Sequence, residues 1–344
     1  MTGMTDKERH RAPFFARRKT RSVRGHALLP IAGLLALVAL AGCGSSGKNS
    51  ASGATSGTKR IGIMIKNTSL PFQGQSIKAF EEGGSKYGYE VSIRSGQGQI
   101  SQEVNVVQQF VAEHVNLIMM NPSDPVGILP AIAQANAAGI PVIVVNSAVA
   151  PSAKTVCYVG VDDVAYGEKE AQALVSAIGT KGNVAVVLGA IGDPPEVNRL
   201  AGIKKVLAGY PNIKLAAMQT GNWESSAELS VVQDFLSRYC PGQLNAVIIE
   251  EANAQAAQYA HTHGRSEVKF IEGDFPSSVK AGIEQGYIAA DVNQDPYTQG
   301  VEAMKIAHEY LSGNKTPCVG GKDLLPLPIV TKANATQFKA GWQG

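Results

Sequence analysis

The feature that most constrains the fold is a regular alternation, starting at Arg60, of short β-branched apolar runs with longer amphipathic stretches. Near-continuous apolar strands separated by helices are typical of parallel sheets covered on both faces. The predicted strands begin at Arg60, Tyr89, Asn116, Pro141, Asn183, Asn212, Asn245, Val268 and Ile288. The predicted helices between them span 76–87, 101–114, 125–138, 166–178, 195–208, 225–239, 253–263, 277–285 and 297–311.

The alternation runs over two blocks of similar size, 60–146 and 183–293, with a predicted crossing at 159–163. This predicts an α/β protein of two Rossmann-like layers joined edge to edge. In such sheets ligands bind beyond the carboxyl ends of the strands. The polar residues at those ends are Lys66, Asn121, Asn146, Glu250, Glu251, Asp274, Asn293 and Gln294.

The first 43 residues have the pattern of a targeting segment. A basic region at 17–24 precedes an apolar stretch at 27–41, which falls short of the roughly 20 residues of a membrane span but suits a signal peptide. It ends in Leu-Ala-Gly-Cys43, which resembles the lipobox of bacterial lipoproteins and predicts lipidation of Cys43. The alternative is a chance cysteine after an ordinary signal. Arg17-Arg18 leaves general or twin-arginine export open.

Residues 44–58 are rich in Gly and Ser and predict a flexible tether from the membrane anchor to a folded body. Of 31 Lys and Arg, eight precede Cys43, as do two of the 28 acids. The rest of the chain therefore carries 23 bases against 26 acids, a net charge of −3. A folded region with this charge lacks the excess of basic residues that nucleic-acid binding requires. We expect an exported protein on the outer face of the cell membrane.

A series of motifs carries a family resemblance over about 60–332: IGIMIKNTSLPFQ, LIMMNPSDP, AGIPVIVVN, VGVDD, NRLAGI, EGDFP and DVNQDPYTQG. In this order they resemble the ribose-type sugar-binding proteins of bacterial ABC importers, whose fold LacI-like repressors share. The resemblance implies a type I periplasmic binding protein, with two lobes and a three-crossing hinge that closes on ligand. Lobe one would be 59–162 plus 295–325, and lobe two 163–294 plus 326–344.

The same resemblance implies the roles of five residues. Phe72 and Trp223 match aromatic residues that stack on a sugar ring from opposite lobes. Arg199 matches an arginine that donates to hydroxyls, Asp274 an aspartate that accepts from them, and Gln294 a pocket glutamine. Each of the first four also has a purely structural interpretation: a helix staple for Phe72, core for Trp223, helix surface for Arg199 and a helix cap for Asp274.

Departures from the family pattern affect the ligand. Asn146-Ser147 stands where the family has an Asp-Arg pair, Leu70 where it often has Asn, and Glu251 where it usually has Asn or Asp. The scaffold is thus retained while the predicted ligand is not ribose. Lys66 completes the predicted site, although a solvated strand end would also explain it.

Charge and chemistry favour capture of an uncharged molecule. The predicted site holds two cations, Lys66 and Arg199, and two acids, Glu251 and Asp274, so it offers no net charge to an ionic ligand. Charge-assisted hydrogen bonds and aromatic faces suit the hydroxyls and C–H patches of a sugar or sugar alcohol. Nucleosides and autoinducer-like ligands are alternatives.

Other motifs bear on cysteine pairing and catalysis. Cys157, Cys240 and Cys318 remain after lipidation, and the resemblance places Cys157 and Cys318 in one lobe as the better disulfide pair. The motif His261-Thr-His263 does not put two ligands on one helix face. We find no catalytic triad or phosphate-binding loop, and predict no enzyme activity, cofactor or metal.

The leading prediction is a monomeric solute-binding protein that serves an ABC permease. A sensor that reports ligand occupancy to a membrane receptor is the alternative. A repressor would need a helix-turn-helix before lobe one, where this chain has a signal and a tether.

Overall fold

The computed structural model describes residues 57–343, so the predicted signal, Cys43 and most of the tether lie outside the described residues. Its strands are β1 Arg60–Ile65, β2 Glu90–Ser95, β3 Leu117–Asn121, β4 Val142–Val145, β5 Cys157–Gly160, β6 Lys181–Leu188, β7 Asn212–Thr220, β8 Ala246–Ile249, β9 Lys269–Gly273, β10 Ala290–Val292, β11 Lys322–Leu324 and β12 Ile329–Thr331. Its helices are α1 Pro71–Tyr87, α2 Ile100–Ala112, α3 Leu129–Ala137, α4 Asp163–Ile178, α5 Pro194–Leu207, α6 Ser225–Arg238, α7 Ala254–Thr262, α8 Ser277–Gln285 and α9 Pro296–Leu311.

The strands form two six-stranded sheets, ordered β11-β5-β4-β3-β1-β2 and β12-β10-β9-β8-β6-β7. Every pairing is parallel except that of β10 with β12. All nine predicted strands and all nine predicted helices are confirmed. The structure adds β5, which ends inside the predicted crossing, and the three-residue strands β11 and β12. Strand β11 has the sequence Lys-Asp-Leu and so lacks an apolar run, and β12 closely follows Pro326 and Pro328, which argue against a strand.

Each sheet is the centre of one lobe, and the chain passes between the sheets three times. The first passage follows β5, the second follows β10, and the third joins β11 to β12. Helix α9 packs on α1 in the first lobe, although it follows ten strands in sequence. Apolar clusters cover both faces of each sheet, which explains why its central strands are apolar along their whole length.

A disulfide joins Cys157 on β5 to Cys318, just before β11, with Cα atoms 5.7 Å apart. It ties β5 to the segment that leads into its neighbour, the edge strand β11, close to two of the passages between lobes. Cys240 is exposed and free. Within 57–343 no helix is long and apolar enough to cross a bilayer.

Three helix starts differ from the prediction by three residues or more. Helix α3 begins at Leu129 rather than 125, and the starts of α1 and α4 matter for the cleft. Helix α1 begins at Pro71, five residues earlier than predicted, because proline is well suited to the first helical position. This places Phe72 and Gln73 in its first turn. Helix α4 begins at Asp163, and the preceding Asp162 caps it by accepting from the N–H groups of Val164 and Ala165.

Helices α4 and α5 of the second lobe approach each other through glycine. A Cβ on Gly202 of α5 would overlap the carbonyl oxygen of Val164, and one on Gly167 of α4 would overlap that of Arg199. Backbone atoms cannot yield as a flexible side chain can. This contact therefore fixes the position of Arg199, which lies one turn before Gly202.

We expect Gly202→Ala to lower the free energy of unfolding by about 1–3 kcal/mol, because the added methyl group forces two helices apart. Gly74→Ala is the matched control, because Gly74 is an exposed helical glycine whose added methyl group would meet no neighbouring atom within 4 Å. That substitution should be neutral or stabilising by up to about 1 kcal/mol. Urea unfolding followed by circular dichroism measures both. Equal stability of the two variants would contradict the close approach.

Candidate ligand-binding site

A cavity of about 340 Å³ lies between the two lobes, where the carboxyl ends of both sheets face each other. Part of this volume is continuous with open solvent. The cavity is lined by Lys66, Leu70, Phe72, Gln73, Asn146, Pro195, Arg199, Trp223, Glu251, Asp274 and Gln294.

All eight side chains predicted from the sequence to bind ligand lie on this cavity. In the first lobe, Lys66 and Asn146 directly follow β1 and β4, and Phe72 comes from the first turn of α1. The other five come from the second lobe: Arg199 from the second turn of α5, and Trp223, Glu251, Asp274 and Gln294 from the loops after β7, β8, β9 and β10. The parallel topology brings them together because all these strands end at the cleft.

Three of these residues have left-handed backbone conformations: Asn146 with φ 64°, Trp223 with φ 61° and Asp274 with φ 60°. Asn and Asp tolerate this region, whereas a bulky side chain such as Trp rarely adopts it. Such conformations persist where the surrounding structure over-determines them and cluster at ligand sites. Asp274 does not cap α8, whose N-cap residue is Pro276.

Arg199 is held from several sides. Its Nε donates to Asp163 at 3.2 Å, and its Nη1 donates to the backbone carbonyl of Glu250. The guanidinium lies 3.8 Å from the ring centroid of Tyr166. Arg199 is 3% exposed, so the alternative of a helix-surface arginine is wrong. The same contacts mean that truncating Arg199 would also leave Asp163 buried without its partner.

Lys66 pairs with Asp193, the residue before α5 in the opposite lobe. Its ammonium also donates to Ser147 Oγ at 3.1 Å, so a cation lies beside the position where the family has its Asp-Arg pair. Lys66 is 6% exposed, and a solvated strand end is therefore wrong. Lys66 thus has a buried acidic partner from the opposite lobe.

Several neighbours of the cavity were not among the residues predicted to bind ligand. Gln73 lines the cavity beside Phe72, and Asn121 donates to its side chain at 3.2 Å. Trp342, near the end of the chain, packs edge-on against Phe72 with ring centroids 6.3 Å apart. Asp193 precedes two prolines at a helix start, and that sequence signal would have marked it as a cleft residue.

Residues 61–315 match the family model described as a periplasmic binding protein domain. The chain belongs to this family. The comparison confirms the predicted family and the type I fold.

Curated relatives of this periplasmic binding protein are sugar- and polyol-binding proteins. The xylitol-binding protein of Mycolicibacterium smegmatis is 29% identical over 283 residues, covering 82% of this chain and 79% of that protein. The ribose import binding protein of Bacillus subtilis is 25% identical over 284 residues, covering 82% and 92%. Among solved structures, a periplasmic solute binding protein from Actinobacillus succinogenes with bound D-allose has a TM-score of 0.74 and 25% identity, covering 82% of this chain and 100% of that one.

Carboxyl groups are concentrated around the cavity of this periplasmic binding protein. Burial raises the pKa of Asp274 to about 7, and burial followed by repulsion from Glu228 raises the pKa of Glu251 well above its usual range. Protonated carboxyl groups donate as well as accept hydrogen bonds. Glu251 was counted among the charged groups of the predicted site. Its burial instead favours the neutral acid.

Two buried acceptor atoms at the cavity have no hydrogen-bond partner among the described residues: Oε2 of Glu251 and Oε1 of Gln294. Gln294 uses its Nε2 to donate to Asp274 at 3.2 Å, which leaves its oxygen free. Buried polar atoms are normally satisfied. These two atoms can accept hydrogen bonds from hydroxyl groups of a molecule in the cleft.

The buried carboxyl groups near the cavity include Glu170 on α4, which interacts electrostatically with Asp274. Burial raises the pKa of Glu170 from 4.5 to about 8, and neither of its carboxyl oxygens has a hydrogen-bond partner within the described part of the chain. The Glu170 carboxyl group binds its proton more tightly in the folded state than in the unfolded state. Its stabilising contribution to the free energy of unfolding is therefore fully present below about pH 4.5. It is lost as pH rises through about 8. Glu272 has a pKa of about 8 for the same reason.

We expect the free energy of unfolding to fall between about pH 5 and pH 8, and Glu170→Gln to remove on the order of 2–4 kcal/mol of that fall, because glutamine has no proton to lose. Urea unfolding at several pH values across this range measures the difference. Glu81→Gln replaces an exposed carboxyl on α1 and should keep the wild-type profile. The same pH profile in both variants would count against a buried neutral Glu170.

Proposed function

We propose that this protein is the solute-binding component of an ABC importer and captures an uncharged polyhydroxy molecule, a sugar or sugar alcohol, between its lobes. The observation that carries the proposal is the cavity itself. It combines aromatic faces from both lobes, Phe72 and Trp223, with hydrogen-bonding groups of Asn146, Asp274 and Gln294. Hydroxyl groups need such donors and acceptors, and the C–H faces of a polyol pack on aromatic rings.

The internal pairing of charges supports an uncharged ligand. Asp193 neutralises Lys66, and Asp163 neutralises Arg199. Burial raises the pKa of Glu251 well above its usual range and that of Asp274 to about 7, so both carry less negative charge than free carboxylates. An ionic ligand would thus lose its hydration without gaining a free counter-charge. The zero net charge expected from the sequence is retained, but it arises from pairs with Asp163 and Asp193, which the prediction did not include.

The relatives point in the same direction. Their names include binding proteins for xylitol, ribose and D-apiose, all polyhydroxy compounds. Import is named for the ribose and D-apiose proteins, which favours transport over the sensor role. These relatives are binding proteins, and we propose that this chain likewise performs no covalent chemistry. We propose a monomer that delivers its ligand to permease subunits.

A calorimetric titration with pentoses, hexoses, pentitols, tetritols, nucleosides and amino acids tests the ligand class. We expect binding of at least one sugar or sugar alcohol and none of the amino acids. Tight binding of an amino acid or organic acid, with no sugar or polyol bound, would overturn the proposal. Asp274→Asn keeps the left-handed backbone favourable and should weaken binding about 10–100-fold, since a carboxyl group that hydrogen-bonds ligand hydroxyls is lost.

Two further variants sharpen this titration. Glu224→Gln replaces an exposed carboxyl next to Trp223 and should leave the affinity unchanged. Glu251→Gln keeps the shape of the side chain but fixes one end as a donor. This substitution should change the order of affinities among polyols while leaving the stability of the protein largely unchanged. An unaltered ranking would remove Glu251 from the site.

We also propose that the protein is exported and anchored to the outer face of the cell membrane by lipidated Cys43. The periplasmic binding protein family implies export, and the Leu-Ala-Gly-Cys43 pattern supports the anchor. Mass spectrometry of the membrane fraction should find a mature chain that starts at a lipid-modified Cys43. Cys43→Ala should release the protein from the membrane, whereas Cys240→Ala should not. An unmodified Cys43 in membrane-bound protein would refute the anchor.

A further inference from the structure

The carboxylate of Asp193 connects the two lobes. Lys66 and Ser147, which lie just after β1 and β4 of the first lobe, both donate to it, Ser147 Oγ at 3.5 Å. From its own lobe, Asp193 accepts a hydrogen bond from Trp223 Nε1 at 2.9 Å. Lys66, Ser147 and Trp223 thus converge on one acceptor group at the boundary between the lobes.

The ion pair is buried on both sides. The side chain of Lys66 is 8% exposed and that of Asp193 is 2% exposed. A charge removed from water without a partner is strongly unfavourable. In a closed cleft each of the two groups therefore requires the other, whereas opening the cleft returns both to water.

The contact is complete without any ligand atom. Lys66 points at Asp193 and Ser147, and its ammonium also lies 5.8 Å from the centroid of the Trp223 ring. Trp223 is the cavity-lining aromatic that donates to Asp193. The residues that join the lobes and the aromatic residue of the site thus share one acceptor, so that closure and the position of the aromatic ring depend on the same carboxylate.

We propose that Lys66 and Asp193 are positioning residues whose ion pair closes the cleft in the ligand-free protein, so that ligand adds to a closure already favoured by the protein itself. This rests on the proposed capture function only in that closure is what retains the ligand. A protein that closes by itself spends less of the ligand's binding free energy on moving the lobes.

The test is small-angle X-ray scattering of the ligand-free protein, because it does not depend on which ligand is bound. We compare the wild type with Lys66→Met, which removes the charge but keeps the length, and with Asp193→Asn, which keeps the shape and the acceptor for Trp223. Both variants should have a larger radius of gyration than the wild type, with the ratio of closed to open molecules reduced about tenfold or more. Circular dichroism verifies that both variants are folded. The two substitutions remove the ion pair from opposite lobes, so that a local defect in one lobe cannot explain the same result in both.

The double variant completes a cycle: adding Asp193→Asn to Lys66→Met should open the protein little further, because the pair is already broken. Lys205→Met is the matched control, since it removes an exposed ion pair with Glu168 inside the second lobe and should not change the radius. Equal radii in the ligand-free wild type and the variants would overturn the proposal, whether all are open or all are closed. Failure of every sugar and polyol to bind would overturn the proposed function but leave this result intact.

Discussion

The buried guanidinium of Arg199 is the interaction on which the second lobe and its half of the site depend. It faces Asp163, the carbonyl of Glu250 and the ring of Tyr166. A desolvated cation is tolerated only with such complete pairing. The close approach of α4 and α5 at Gly167 and Gly202 brings these groups within reach. The charge pairing of the site therefore depends on the packing of these two helices.

Most charged groups of the cleft are paired with other groups of the protein itself. The cations of the cavity wall have their own carboxylates, and burial favours the neutral forms of several remaining acids. This arrangement leaves directional hydrogen-bonding groups without a strong field, which suits discrimination among uncharged molecules by the placement of their hydroxyl groups. It also couples stability to pH, because neutral buried acids become unfavourable when they lose their protons.

Backbone strain is concentrated at the same edge of the two sheets. Asn146, Trp223 and Asp274 are left-handed where their strands end, and each lines the cavity. The cost of such conformations, on the order of 1–3 kcal/mol each, is borne by sheets whose faces are fully covered. A rigid scaffold with strained loop residues is the arrangement expected of a preformed binding site.

The sequence by itself determined the strands, the helices and most residues of the cavity wall. Only the tertiary structure decided which charged groups pair. Periodic apolar runs specify the strands and helices. Five of the eight polar residues named at strand ends line the cavity, because parallel strands end at one edge: Lys66, Asn146, Glu251, Asp274 and Gln294. Three strands were missed for local reasons. β5 runs into the predicted crossing, β11 has two charged residues among its three, and β12 closely follows two prolines. Lys66 and Asp193 are 127 residues apart in sequence, and nothing local indicates that they pair across the cleft. Secondary structure follows from local periodicity, but charge pairing and the pKa of a group such as Glu251 depend on distances and desolvation that exist only after the chain has folded.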